Sequence, residues 1–202
     1  MSDNLAKKDR AAETRTRILD AAASLFRDKG YAAVSLRGIA DAADMKAGSV
    51  YYHFKSKEEI VLEVLNLGIE RVHKTVKAVF DAGKGSQETA ALIRDAICAH
   101  LETLLEHTDY TSANVRIHGQ VPEAIRSEAL VVRRRYEALW DDILAHGKAA
   151  GDIRQDVDLK MFRLMLIGSL NATLEWFDPE KGSARDISRA YAAILLNGLM
   201  DK

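Results

Sequence analysis

The chain has 202 residues, enough for one or two compact domains with a sizeable core. Apolar residues make up 48% and aromatics 6%, with two prolines and one cysteine, Cys98; this suits aliphatic helix packing and excludes an internal disulfide or a cysteine-cluster metal site. The net charge of −1 conceals a basic end, since residues 1–57 hold eleven Lys and Arg against seven Asp and Glu, a net of +4, and the remainder carries −5. No run of 18 apolar residues occurs and the N-terminus is polar, so neither a membrane span nor a signal peptide is expected, and the chain reads as cytoplasmic.

Residues 1–10 are charged without an apolar period and are expected to form a flexible arm. A first helix is predicted from about Ala11 to Lys29, with Ile18, Leu19, Ala22, Leu25 and Phe26 as its buried stripe and Gly30 as its stop. The chain is organised around the next stretch, Ser35 to Phe54 (SLRGIADAADMKAGSVYYHF). Leu36, Ile39, Ala40 and Ala43 share one face of a short helix that Ser35 can cap. Asp44-Met45-Lys46 has the length of a helix-turn-helix connection, with Met45 as the apolar plug. A second helix, from about Ala47 to His53, buries Val50 and Phe54 and presents Lys46, Ser49, Tyr51, Tyr52 and His53 outward. A helix entering the DNA major groove needs reaching donors, aromatics and small residues that allow close approach, and Gly48 with Ser49 supplies the small surface.

The next helix opens at Lys55-Ser56-Lys57-Glu58-Glu59, where Ser56 and Glu59 match a capping box and Lys57 lies at a helix N-terminus suited to a phosphate. With ETRTRILDAAASLFRDKGY, SLRGIADAAD and GSVYYHFKSKEEI in this order, residues 13 to 58 resemble the DNA-binding domain of the TetR/AcrR family of bacterial transcriptional regulators. The likeness covers roughly the first quarter of the chain; the rest agrees in length and helical character alone. Three positions depart from the family's pattern: the turn glycine is Asp44, the Ser or Thr that caps the recognition helix is Lys46, and the frequent Lys after it is Ala47, so the basic contact moves from 47 to 46. The resemblance implies DNA contacts from Ser35, Arg37, Lys46, Ala47, Gly48, Ser49, Tyr51, Tyr52 and His53, with Thr14, Arg15 and Lys57 on phosphates.

The helix after Ser56 is predicted to reach about Phe80, and Gly83-Lys84-Gly85-Ser86 breaks the chain. Helices follow over about Gln87–His107 and Thr111–His118; Pro122 then starts a segment that includes Glu123 to Glu128, and a longer helix runs to about Ala150, ended by Gly151. Asp156 or Asp158 caps the next, which runs to about Phe177 and is apolar nearly all round; Ser183 caps the last. The expected fold is all-α, about nine helices, with residues 1–57 as the DNA-binding helix-turn-helix head and 58–202 as the ligand-binding and dimerisation body. Leu164, Gly168, Ala172, Ile187, Tyr191, Ile194 and Leu195 on the last two helices are expected to form a homodimer face.

No catalytic motif is found, and no metal or cofactor is expected. His100, His107 and His118 are the one trio with spacing for zinc, and ordinary polar histidines account for them better. A ligand site is expected among Leu101, Leu105, Asn114, Arg116, His118, Tyr136, Trp140 and Trp176, apolar walls beside a polar cluster. LNATLEWFDPEKG is loosely similar to regulators of lipid or steroid-ring breakdown that respond to acyl-CoA thioesters. The function expected is a ligand-responsive regulator, a repressor released from a palindromic operator on double-stranded DNA by a small apolar or amphipathic, acyl-CoA-like effector. The rival from another class is a helical protein–protein adaptor with a basic head.

Overall fold

The structure is a computed structural model that describes residues 2–106 and 109–199. Among these residues it holds nine α-helices and no strand: α1 Ser2–Ala33, α2 Leu36–Ala42, α3 Ala47–His53, α4 Lys57–Gly83, α5 Thr89–Glu106, α6 Asp109–Ile117, α7 Glu123–Ala149, α8 Leu159–Ala172 and α9 Ala184–Leu199, with a 3-10 turn at Thr173–Glu175. The all-α expectation holds. The arm expectation does not, because α1 is already helical at Ser2. Residues 2–10 carry no apolar period in the sequence, so periodicity does not reveal this part of the helix. Gly30 breaks α1 at φ 75°, ψ 170°, a left-handed conformation that glycine adopts without a Cβ penalty.

The chain divides into two compact units. The first is Met1–Gly68 with Asp109–Leu130, and the second is Ile69–Thr108 with Val131–Lys202. Helices α4 and α7 contribute residues to both. In the first unit Ile18, Phe26, Ile39, Val50, Phe54, Ile60, Leu65, Tyr110 and Ile117 form the core, with Met45 packed against it. Gly68 lets α4 and α6 approach: a Cβ there would lie 2.5 Å from the Tyr110 carbonyl oxygen. Asn114 donates to the Leu65 carbonyl at 2.7 Å, and Tyr110 donates to Asp20 at 2.7 Å, so α6 is tied to both α4 and α1.

The second unit is built around Val76, Ile93, Ile97, Leu101, Trp140, Ile143, Leu166 and Leu170. Asp158 caps α8 by accepting the Met161 N–H at 3.1 Å, and Ser183 caps α9 by accepting the Asp186 N–H at 3.2 Å. No helix among the described residues is long and apolar enough to cross a membrane.

Candidate nucleic-acid interface

The α2–α3 pair is set by local chemistry. Ser35 accepts the Gly38 N–H at 3.1 Å and so caps α2. Met45 N donates to the Ala40 carbonyl at 2.9 Å and Ala43 N to that of Ile39 at 2.9 Å, closing the end of α2. Asp44 takes φ 52° to make the turn, so an aspartate occupies a left-handed position that glycine fills most readily. Its short polar side chain makes it one of the few L-residues to visit that region. Lys46 is the N-cap residue of α3 and makes no side-chain cap bond.

Helix α3 buries Val50 completely, and Phe54 beyond its end is equally covered. Tyr51 is 58% and Tyr52 81% exposed, while Arg37, Lys46, Ala47, Gly48 and Ser49 are exposed and His53 is half-buried against the edge of Tyr52 at 5.1 Å. No side chain covers Gly48: a Cβ there would meet nothing within 4 Å. One helix thus offers two large aromatic hydroxyls, a cation and a small bare patch, which is a surface able to enter a groove and touch base edges.

The other residues read from the sequence lie elsewhere in the first unit. Thr14 donates back to the Arg10 carbonyl at 2.8 Å. Arg15 donates to the His53 carbonyl at 3.2 Å and pairs with Glu63. Lys57 donates to the carbonyls of Tyr31 (3.1 Å) and Val34 (3.0 Å) and sits over the Tyr31 ring at 4.0 Å. At the start of α4 the Glu59 N–H meets Ser56 Oγ at 3.3 Å, and the Glu59 carboxylate returns to the Lys55 N–H at 2.8 Å. Glu63 and the packing role of Phe54 under Arg15 escaped the sequence reading, because partners 48 and 39 residues apart leave no local signal.

The expected ligand residues are spread over both units. In the first, Asn114 is spent on the Leu65 carbonyl, Arg116 is exposed and His118 is half-buried. In the second, Leu101, Tyr136 and Trp140 are buried together, Leu105 packs against the same core, and Trp176 is 54% exposed and stacked flat on Tyr191. His107 of the histidine trio lies outside the described residues. His100 and the Tyr136 hydroxyl form a hydrogen-bonded pair inside this core. Burial pushes His100 down to about 4, against a smaller upward pull from Asn171, and burial also raises the Tyr136 hydroxyl. Both are therefore neutral at pH 7. A separate open cleft of about 510 Å³ is lined by residues such as Val79, Asp95, Cys98, Glu102 and Arg185, none of them in the expected ligand set.

Large apolar side chains stay open on α8 and α9: Met161, Leu164 and Met165 of α8 and Ile194 of α9 are each more than half exposed, and Gly168 and Ala172 of α8 are exposed as well.

Residues 18–64 match the family model described as bacterial regulatory proteins, tetR family, and residues 86–199 match that of the tetracyclin repressor-like C-terminal domain. The chain is 31% identical to the HTH-type transcriptional repressor KstR2 of Mycolicibacterium smegmatis, over 93% of this chain and 91% of that protein. It is 27% identical to the solved TetR family regulator PfmR of Thermus thermophilus, with TM-score 0.78 over 92% and 97% of the two chains. The solved complex of AibR with isovaleryl coenzyme A and operator DNA shares the fold, with TM-score 0.79 at 18% identity over 91% and 98%. The relatives are transcriptional regulators, and the adaptor alternative finds no support among them.

Proposed function

This chain belongs to the TetR family of bacterial regulatory proteins, and on that premise we propose that two copies read a palindromic operator and let go when the body takes up a small apolar or amphipathic ligand. It is a DNA-binding transcriptional regulator, and repression in the cytoplasm is the mode we assign to it. The observation that carries the reading is α3 itself, where Tyr51 and Tyr52 stand out beside Lys46, Gly48 and Ser49 while Val50 and Phe54 are wholly buried.

Residues 1–57 supply the reading head. Arg37, Lys46, Ser49, Tyr51, Tyr52 and His53 make the contacts, and Ser35, Ala47 and Gly48 keep the surface close enough for them. Residues 58–202 bind the ligand and dimerise. The open face of Leu164, Gly168, Ala172 and Ile194, continued by Ile187, Tyr191 and Leu195, supports a two-fold contact. The buried His100–Tyr136 pair gives an apolar interior one polar anchor, which suits an acyl group carrying a carbonyl. Helix α4, with residues in both units, is the element through which the ligand acts, and only unequal affinity for the two states does this, about 1–3 kcal/mol of coupling.

Selection of random duplex DNA on the purified protein tests the head: an enriched palindrome with half-sites about a helical turn apart is the expected pool. Titration of that complex with isovaleryl, octanoyl and palmitoyl thioesters of coenzyme A tests the ligand class. Release by one of them supports it, and retention of DNA with all of them rules out these thioesters as effectors. An unenriched pool would overturn the operator reading itself.

A further inference from the structure

Three acceptors converge on one side chain of the first unit. Arg15, on α1, donates one Nη to the carbonyl oxygen of His53 at 3.2 Å and the other to the Glu63 carboxylate on α4. Its guanidinium lies over the Phe54 ring, with Cζ 4.1 Å from the centroid. His53 is the last residue of α3, so its carbonyl is among those that a helix end leaves without an intrahelical partner. A cation there is favoured by the partial negative charge of that end. Helix α3 has seven residues, well below the length that holds itself together in water, and its N-cap side chain makes no cap bond. Beyond the burial of Val50, its far end is where polar side chains of α1 and α4 meet.

We propose that Arg15 and Glu63 are positioning residues for operator binding, a latch that fixes the C-terminal end of α3 to α1 and α4 and so sets the pitch at which Tyr51, Tyr52 and His53 are offered to the groove. This rests on the reading of α3 as the DNA-contacting helix. The guanidinium is the group suited to the task, because its rigid fork reaches a carbonyl and a carboxylate at once while its face packs on a ring. An ammonium has no such plane. Paired with a carboxylate, the guanidinium is part of a net-neutral unit that attracts a phosphate less than a lone cation does, which separates this role from a backbone contact.

The two roles predict opposite signs. Affinity for the selected palindrome is measured against salt for the wild type and for Glu63→Gln, Arg15→Lys and Arg15→Gln. Thermal melts of each variant confirm that it is folded. The latch predicts roughly tenfold weaker binding for Glu63→Gln and for Arg15→Lys, the scale of a lost charged hydrogen bond. It also predicts a salt slope unchanged in all three variants. A phosphate contact predicts the reverse. Glu63→Gln would then bind more tightly, Arg15→Lys would keep its affinity, and Arg15→Gln would flatten the slope by about 1.8 over two protomers. Tighter or unchanged binding by Glu63→Gln, or that flattened slope, overturns the proposal. If Glu63→Gln fails to fold, the two Arg15 variants decide it. Absence of wild-type binding would instead overturn the DNA reading of α3, and the latch with it.

Discussion

Asp44 holds the turn between α2 and α3 at φ 52°, where most L-residues are strained by about 1–2 kcal/mol. Asp44→Gly is therefore expected to stabilise the head by roughly 1 kcal/mol, seen as a melting point about 2–4 °C higher. No change, or a drop, would mean that the aspartate side chain makes up the difference locally. His100 carries a different consequence. Its folded-state value of about 4 lies below the ordinary 6.5, so the unfolded chain binds the extra proton between those limits. The stability from keeping it neutral is complete above about pH 6.5 and is lost as pH falls toward 4, at most about 3 kcal/mol. Urea unfolding from pH 7 to 4 should show this acid limb, and His100→Gln should make it shallower. The partner of His100 was not visible in the sequence. Residues 100 and 136 meet only because α5 and α7 pack, just as Arg15 meets Glu63 only across α1 and α4.

The helices themselves were largely legible, because apolar residues at three- and four-residue spacing mark a buried stripe wherever there is one. That is why α2 and α3 lie within a residue or two of their expected bounds, and why α7 ends within one residue of the end expected for the longer helix, although the segment after Pro122 joins it in a single helix. Two expectations miss: the first turns of α1 carry no apolar period in the sequence, and α8, expected to reach about Phe177, ends at Ala172 and gives way to the 3-10 turn Thr173–Glu175. The cap of α3 leads to a test. Lys46→Ser would give the helix the hydroxyl it lacks and stabilise it by about 1 kcal/mol. The same change removes a cation from each of two heads. Operator affinity should fall, and its salt slope should flatten by about 1.8, while the melting point rises. A slope that stays put would remove Lys46 from the DNA contacts.

We assign assembly to the apolar side chains of α8 and α9, and here too the pattern was half readable. The sequence shows a helix apolar nearly all round, which demands cover on both sides, but not which side its own chain leaves bare. In the structure Leu166 and Leu170 are wholly buried while Leu164 and Ile194 face outward. Ile194→Glu should break the two-fold contact without disturbing the interior, since Ile194 is 75% exposed. Sedimentation would then show a monomer, and binding to a full palindrome should collapse toward that of a single half-site. A dimer that survives would move the interface elsewhere.

The two tryptophans sit in opposite surroundings, and this makes the protein its own optical probe. Trp140 is wholly enclosed, whereas Trp176 is half open and stacked on Tyr191 beside the bare face. Excitation at the red edge of the indole band leaves the tyrosines dark, and the emission spectrum then separates a short-wavelength interior emitter from a long-wavelength surface one. Replacing Trp176 with Phe would leave a single lamp inside the core. On the ligand and dimer sites proposed above, its quenching would report ligand uptake, and the emission lost on replacement would report pairing of two chains, without a label.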